Sequence, residues 1–398
     1  MNSRERVRCV LEHKLPDRVP NGLGGCETAG MHIMAYDRLQ NVLGCKRAHP
    51  KLDTFMINAV FEEPVIRAME GDIILLDSPN MCPVPIRGCV DGMWKEQELW
   101  GKTFLGPTSS IFRNNEDGSI SWVNKKKICP VGSYYFDRKV NTNLTADLII
   151  PDPDEYNPIA EIPEDKLRRI EEQAKRLYEE TELSICLGET IHDLQVSPGG
   201  LVNTMMLMLE EPEVMHALLE KSVDVALKQI KQLDEAVGKY VDILSIAHDF
   251  GDNRGNLYGA SLWREIYKPH YMRLFRGWRE ITDMKINLHS CGAISDILDD
   301  LIECGVQIIN PVQTSAANMS VSSLKERFGD RVIFYGGAYD SQLFTLGASY
   351  DDVYKAVYNN IKTLGKGGNY IFAGVHNLPA DMPEEHIKAM IDAYRDAR

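Results

Sequence analysis

Positive charge is scarce in this 398-residue chain, where 44 Lys plus Arg stand against 58 Asp plus Glu for a formal charge of -14. That balance repels a phosphate backbone, so it argues against nucleic acid as a partner and favours a small molecule or a protein surface. No window approaches the ~18 uninterrupted apolar residues that a membrane-crossing helix requires, and no membrane association is expected. Paired cysteines are missing as well. Nine cysteines, an odd number without a C-x-x-C, read as free thiols in a reducing compartment rather than as a disulfide framework. Met1 to Pro20 lacks the apolar core of an export signal, so the expected location is cytoplasmic.

Phosphate-binding loops are absent too. Gly365-Lys366-Gly367-Gly368 lacks the leading glycine spacing and the following Ser or Thr of a P-loop, and reads as a helix-to-strand turn. Gly22-Leu23-Gly24-Gly25 lacks the G-x-G-x-x-G spacing, and a tight turn or a close backbone approach accounts for it. There is no internal repeat and no low-complexity tract.

What the chain does contain, from Leu183 onward, is a regular alternation of short apolar runs with longer amphipathic ones, the pattern of βα units on a parallel sheet. The candidate strands are Leu183–Leu187, Val241–Ala247, Lys285–Ser290, Val306–Asn310, Val332–Tyr335 and Tyr370–Val375. Helices are expected over Glu164–Glu180, Glu211–Val237, Leu324–Phe328, Asp351–Leu364 and Pro383–Tyr394, with Gly238, Gly329 and Gly365 at C-terminal glycine positions. Six strands need two more to close a barrel of eight, and Val19–Leu23 and Ile73–Leu76 are the candidates. The segment from Met81 to Tyr156 is rich in Pro, Gly, Asn and aromatics. It reads as an excursion from the barrel whose Trp94, Trp100, Trp122, Tyr134, Tyr135 and Phe136 either cover a substrate or seal the excursion onto the barrel.

Barrel active sites form at the C-terminal strand ends. Those ends carry Gly188-Glu189-Thr190, His248-Asp249, His289 with Cys291, Asn310-Pro311-Val312-Gln313, Gly336-Gly337-Ala338-Tyr339-Asp340 and His376-Asn377. His289-Ser290-Cys291-Gly292 stands out, because residues two apart on a strand share a face and the imidazole and thiol would converge. Imidazole and thiolate are ligands that zinc prefers. His376 would be the third ligand and Glu189 a fourth that substrate displaces, with His248 hydrogen-bonding a ligand or substrate from behind. The alternatives are a buried histidine beside a small apolar cysteine, and a structural His376.

In order and spacing, these strand-end residues resemble the uroporphyrinogen decarboxylase superfamily, and within it the zinc-dependent, corrinoid-linked methyltransferases. The likeness runs through Leu15-Pro16-Asp17-Arg18-Val19-Pro20, Asp249-Phe250-Gly251, Tyr267-Lys268-Pro269, His289-Ser290-Cys291-Gly292, Gly336-Gly337 with Asp340, and Val375-His376-Asn377 leading to Pro383. The resemblance implies one TIM-type (β/α)8 barrel domain over residues 1–398, with 81–156 as a capping excursion. The decarboxylase proper grips its substrate carboxylates with arginines just after the first strand, whereas Asn21 to Gly30 here contains no Arg or Lys. In the methyltransferases the H-x-C pair binds zinc, and the coenzyme M enzymes place a cysteine where this chain has His376. Two imidazoles and one thiolate leave zinc the stronger Lewis acid, which suits polarising an oxygen.

The resemblance therefore implies transfer of a methyl group from a small ether-type donor, an aryl methyl ether for choice, to the cobalt of a separate corrinoid protein. Zinc sits on His289, Cys291 and His376 in that expectation, with Glu189 displaceable and His248, Asp249 and Asn377 orienting donor or ligands. A homodimer is a candidate assembly. The rivals are a methylcorrinoid-to-thiol or folate methyltransferase, a metal-independent decarboxylase using Asp249 and Tyr339, and a non-catalytic barrel that only binds a corrinoid partner.

Overall fold

The computed structural model of the chain describes residues 1–45, 49–53, 56–76, 94–137, 148–344 and 347–398. Seven parallel strands form one curled sheet: β1 (Ile73–Leu76), β7 (Ser184–Leu187), β8 (Ile243–Ala247), β9 (Lys285–His289), β10 (Ile308–Asn310), β11 (Ile333–Tyr335) and β12 (Tyr370–Ile371), in that spatial order. Among the described residues, five antiparallel strands lie between β1 and β7 in the sequence: β2 (Trp94–Leu99) pairs with β3 (Lys102–Pro107), while β4 (Phe112–Asn114), β5 (Ile120–Trp122) and β6 (Lys127–Cys129) make a second small sheet.

The eighth position is filled by backbone rather than by a strand. Asn21 makes a single parallel bridge to Phe372, Gly22 N–H donates to Phe372 O at 2.8 Å, and on the other side Asp72 N–H donates to Asn21 O at 2.7 Å. This short segment joins both edges of the sheet and gives the TIM-type α/β architecture expected. It is shorter than Val19–Leu23 because Pro20 has no N–H to offer a ladder. The run Tyr370–Val375 is likewise a strand only over Tyr370–Ile371.

Period-two alternation along the strands sorts the side chains into two layers. Ile73, Cys186, Ile243, Ile308, Ile333, Tyr335 and Ile371 fill the barrel interior, together with Val7, Val10 and Leu11 from the helix Ser3–Leu11, which plugs the N-terminal end. Alternate residues such as Ile74, Ile185, Leu244, Leu288 and Phe334 pack outward against the helices. The plug is held by charge: Arg6 and Arg18 both reach the buried Asp72 at 2.7 Å, and Arg8 reaches Asp242 at 2.7 Å.

The helix Pro212–Val237 starts with proline in its first turn and buries Met215, Leu218, Leu219, Val223, Ala226, Ile230 and Leu233 at three- and four-residue spacing. Gly238, Gly329 and Gly365 do follow their helices, but in right-handed geometry, whereas Gly44 and Gly305 adopt the left-handed cap. No helix among the described residues is long and apolar enough to cross a membrane.

Of the excursion expected over 81–156, residues 81–93 and 138–147 lie outside the described residues. In the remainder the rings pack mainly on one another: Trp100 on Tyr134 at 5.8 Å, Phe112 on Trp122 at 5.0 Å and Trp122 on Phe136 at 5.5 Å. Trp100 and Tyr135 also close on His32, at 5.4 and 5.2 Å, and the Tyr135 hydroxyl accepts the Ala380 N–H. These contacts seal the small sheets onto the barrel rim.

Candidate metal centre

His289 is the last residue of β9 and points into the barrel, because Asn287 and His289 alternate with the outward Ile286 and Leu288. Its register partner on β10 is Asn310, also inward. The pairing brings His289 Nδ1 to 2.7 Å from Asn310 Oδ1. The orientation of that amide follows from its other contact, since Asn310 Nδ2 donates to Tyr335 O, which can only accept. Asn310 Oδ1 also accepts from Thr28 Oγ1 at 2.7 Å. His289 must therefore carry its proton on Nδ1, leaving the Nε2 lone pair aimed at the site.

That lone pair faces Cys291 Sγ at 3.3 Å. Cys291 lies beyond the strand end, so strand alternation alone does not place it. Its N–H donates to Asp249 Oδ1 at 2.8 Å, and Gly292 N–H donates to Gln313 Oε1 at 2.8 Å. Gly292 has φ +82°, and a Cβ there would lie 2.4 Å from the Gly251 carbonyl carbon. The two loops after β8 and β9 thus meet backbone to backbone, which only glycine permits.

His376 completes the cluster from the loop after β12. Its ring stands edge-on to His289 at 5.1 Å between centroids, and one donor atom each from His289, Cys291 and His376 lie within 4.8 Å of one another. His376 has φ +61°, uncommon for a residue with a Cβ, and such strain gathers at functional sites. Its Nδ1 accepts the Asn377 N–H at 2.7 Å, so the neutral ring bears its proton on Nε2, and ligation through Nε2 would move that proton to Nδ1 and break the bond to Asn377.

The donor set fits a zinc ion. Tetrahedral zinc with N and S ligands separates them by about 3.5 Å, close to the His289–Cys291 spacing. Burial lowers the affinity of both imidazoles for protons, His376 to about 4, so both are neutral donors near pH 7. Burial, reinforced by the Asp249 charge, pushes the Cys291 thiol up, so a cation would have to displace its proton.

The other sequence candidates sit around this cluster in different ways. Asp249 is more than half exposed; its carboxylate fixes the Cys291 amide and comes within 3.8 Å of His289 Nε2. Asn377 Oδ1 accepts the Gly30 N–H at 2.7 Å and ties the His376 loop to the segment after Asn21. The His248 side chain turns outward, bonded to Tyr271 OH at 2.8 Å and packed against Phe250 and Tyr267, while its backbone N–H donates to His289 O. Glu189 stands at the end of β7 outside the 4.8 Å group. Burial and the charges of Asp193 and Asp249 raise its carboxyl well above the usual range.

Asn310 stood among the strand-end residues and Glu27 in the cation-free segment after the first strand, both without a role at the metal, and Thr28 was not named from the sequence. Glu27 Oε1 accepts the Glu189 N–H at 2.8 Å, over Gly188, where a Cβ would lie 1.4 Å from that oxygen. Burial and the Glu189 charge push Glu27 up to about 8. The available signals were a polar residue ending an apolar strand run and an acidic residue in a segment without cations.

A family profile described as uroporphyrinogen decarboxylase (URO-D) matches residues 196–397. The curated uroporphyrinogen decarboxylase of Methylococcus capsulatus is 26% identical over 200 residues, covering 48% of this chain and 51% of that protein. The chain thus spans about half the length of that curated relative. A solved methyltransferase from Methanosarcina mazei is similar over 100% of this chain and 99% of its own, with TM-score 0.55 at 16% identity, a likeness of fold.

Proposed function

This chain belongs to the uroporphyrinogen decarboxylase family, a family of enzymes, and we propose that it works there as a zinc-dependent methyltransferase. In this reading it moves a methyl group from an ether-type donor, an aryl methyl ether for choice, to the cobalt of a separate corrinoid protein. The observation that carries the reading is the convergence of His289, Cys291 and His376 at the C-terminal end of the barrel. Zinc held by these three residues would supply Lewis acidity toward the donor oxygen.

The chain's own residues do the rest. Asn310 presents His289 in the metal-ready tautomer, and Asp249 holds the loop that presents Cys291. Glu189 retains a proton toward neutral pH, so it is a weak and displaceable fourth ligand, and Glu27 can hold a proton beside it. A polycarboxylate substrate fits poorly, because Asn21 to Gly30 has no cation and these two carboxyls line the same region. Tyr339, which a metal-independent decarboxylase would need free, is buried with its hydroxyl 3.1 Å from His386 Nδ1.

The test combines metal analysis with methyl transfer from a methoxylated benzoate to cob(I)alamin or a corrinoid protein, followed by cobalt absorbance. One zinc per chain, lost together with transfer in Cys291→Ala, is expected. Metal-free protein with full activity would overturn the reading, and methylation of a thiol or folate from methylcobalamin alone would reverse its direction.

A further inference from the structure

We infer that Gln313 and Asp340 are positioning residues for the metal centre: Gln313 fixes the backbone that aims the Cys291 thiol, and Asp340 fixes Gln313. The inference rests on the reading of His289, Cys291 and His376 as metal ligands, and not on the reaction proposed for them. Neither residue belongs to the ligand cluster itself.

Cys291 is the ligand with least support from the sheet. β9 ends at His289, and although Ser290 N–H still donates to Asn310 O at 2.7 Å, the backbone leaves the sheet at Cys291. Side chains hold the two peptide groups that flank its Cα. The N–H of the first, on Cys291, donates to Asp249 Oδ1, and the N–H of the second, on Gly292, donates to Gln313 Oε1, both at 2.8 Å. With both peptide planes fixed, the Cα–Cβ direction is set and χ1 is the torsion left to the thiol. Asp249 is more than half exposed whereas Gln313 is buried, which makes Gln313 the firmer of the two anchors.

Gln313 opens a tight turn, closed by Ala316 N–H donating to Gln313 O at 3.1 Å, and Asp340 holds the two central residues of that turn. One carboxylate oxygen of Asp340 accepts the Thr314 hydroxyl at 2.9 Å and the Ser315 N–H at 2.8 Å, and the other accepts the Gln342 N–H at 3.0 Å. Asp340 is only 2% exposed, and burying a carboxylate is costly unless donors surround it. Donors arriving at both oxygens call for a group that only accepts, so an amide does not replace it fully. The amides nearby run one way. Because Gln313 Oε1 takes a backbone N–H, Gln313 Nε2 must donate to Asn253 Oδ1 at 2.5 Å, and Asn253 Nδ2 to Gln342 Oε1 at 2.9 Å. The loops after β8, β10 and β11 are thereby tied to the loop that carries Cys291.

The test uses the full chain, stripped of metal and titrated with zinc against a chromophoric chelator, then with cobalt(II), whose thiolate charge-transfer band reports Cys291 directly. Gln313→Leu, similar in size but without the acceptor, should lower zinc affinity about tenfold or more and weaken the thiolate band. Gln313→Glu restores an acceptor for the Gly292 N–H, and Asn253 and Gln342 can turn their amides over, so it should bind as tightly as wild type or more tightly. Asp340→Ala should weaken affinity several-fold alone and add nothing beside Gln313→Leu, because its effect passes through Gln313. Asp340→Asn keeps an acceptor for Thr314 and Ser315 and should fall between Asp340→Ala and wild type. A residue that only stabilised the fold would weaken both backgrounds equally. A folded Gln313→Leu protein with wild-type affinity and an unchanged thiolate band would overturn the role of Gln313. An Asp340→Ala effect that persists in full beside Gln313→Leu would overturn the route through it. Wild-type protein that takes up cobalt without a thiolate band would overturn the inference together with the ligand role of Cys291, an outcome distinct from variants that behave as wild type.

Discussion

Replacing Asn310 tests the metal centre without touching a ligand. The side chain is fully buried, and its Oδ1 accepts both from Thr28 and from the Nδ1–H of His289. Asn310→Leu keeps the volume but strands both donors, at ~1–3 kcal/mol each, so a loss of about 2–6 kcal/mol in unfolding free energy is expected. It also frees His289 to carry its proton on Nε2, which blocks the lone pair facing Cys291. Loss of such a supporting bond lowers metal affinity by about 10–100-fold. Asn310→Asp is the contrasting variant: it preserves an acceptor for His289 but sets an oxygen against the Tyr335 carbonyl, so it should lose stability and keep most of the affinity. Zinc competition against a chromophoric chelator measures the affinity, and urea unfolding of metal-free protein measures the stability. A folded Asn310→Leu protein that binds zinc as tightly as wild type would refute the tautomer argument.

Glu27→Gln should change the pH dependence of stability. The folded-state pKa of Glu27 is raised, so its contribution is present below about pH 4.5 and is lost as pH rises toward about 8. In metal-free protein the glutamine variant should therefore match wild type at pH 4.5 and exceed it by about 1–3 kcal/mol at pH 8 in urea melts; a constant difference would refute the assignment. His32 has the opposite sign. Burial lowers its pKa from 6.5 to about 4, so stability is full above pH 6.5 and falls by about 2–3 kcal/mol toward pH 4, and His32→Gln should flatten that slope. Gly292→Ala should cost about 2–4 kcal/mol and most of the zinc affinity, because of the left-handed backbone and the contact with Gly251. Gly255→Ala, in the same region with nothing within 4 Å of its Cβ, is the control and should be near neutral.

The barrel was legible in the sequence wherever a strand was an apolar run ending in polar residues, as in Lys285–His289 and Ile243–Ala247. It was least legible at the closure, because the Asn21 segment contributes one bridge and a few backbone bonds, and a polar, glycine-rich stretch leaves no alternating pattern. The cysteine and two histidines could be nominated from their strand-end positions. Their support could not: Asn310 reaches His289 through the β9–β10 register, and Glu27 reaches Glu189 across 162 residues, relations that no local spacing encodes. His248 shows the converse. A strand-end histidine looked like part of the site, but alternation after the inward Ala247 sends its ring outward into an aromatic layer.

The charges at the barrel mouth follow a single logic. Glu27, Glu189, Asp193 and Asp249 crowd one region; burial raises the first three carboxyls above their ordinary values, and neighbouring carboxylates add to the rise at Glu27 and Glu189. Without a cation, that crowding is a standing cost, since each ionisation makes the next harder. A divalent ion on His289, Cys291 and His376 would relieve it, drawing protons from Cys291 and from neighbouring carboxyls as it binds. Zinc uptake should therefore release more than the single thiol proton near pH 7, and calorimetry in buffers of different ionisation enthalpy counts the difference. Release of one proton or fewer would mean that the carboxyls are electrically remote from the metal, and Glu189 would lose its claim to be a ligand.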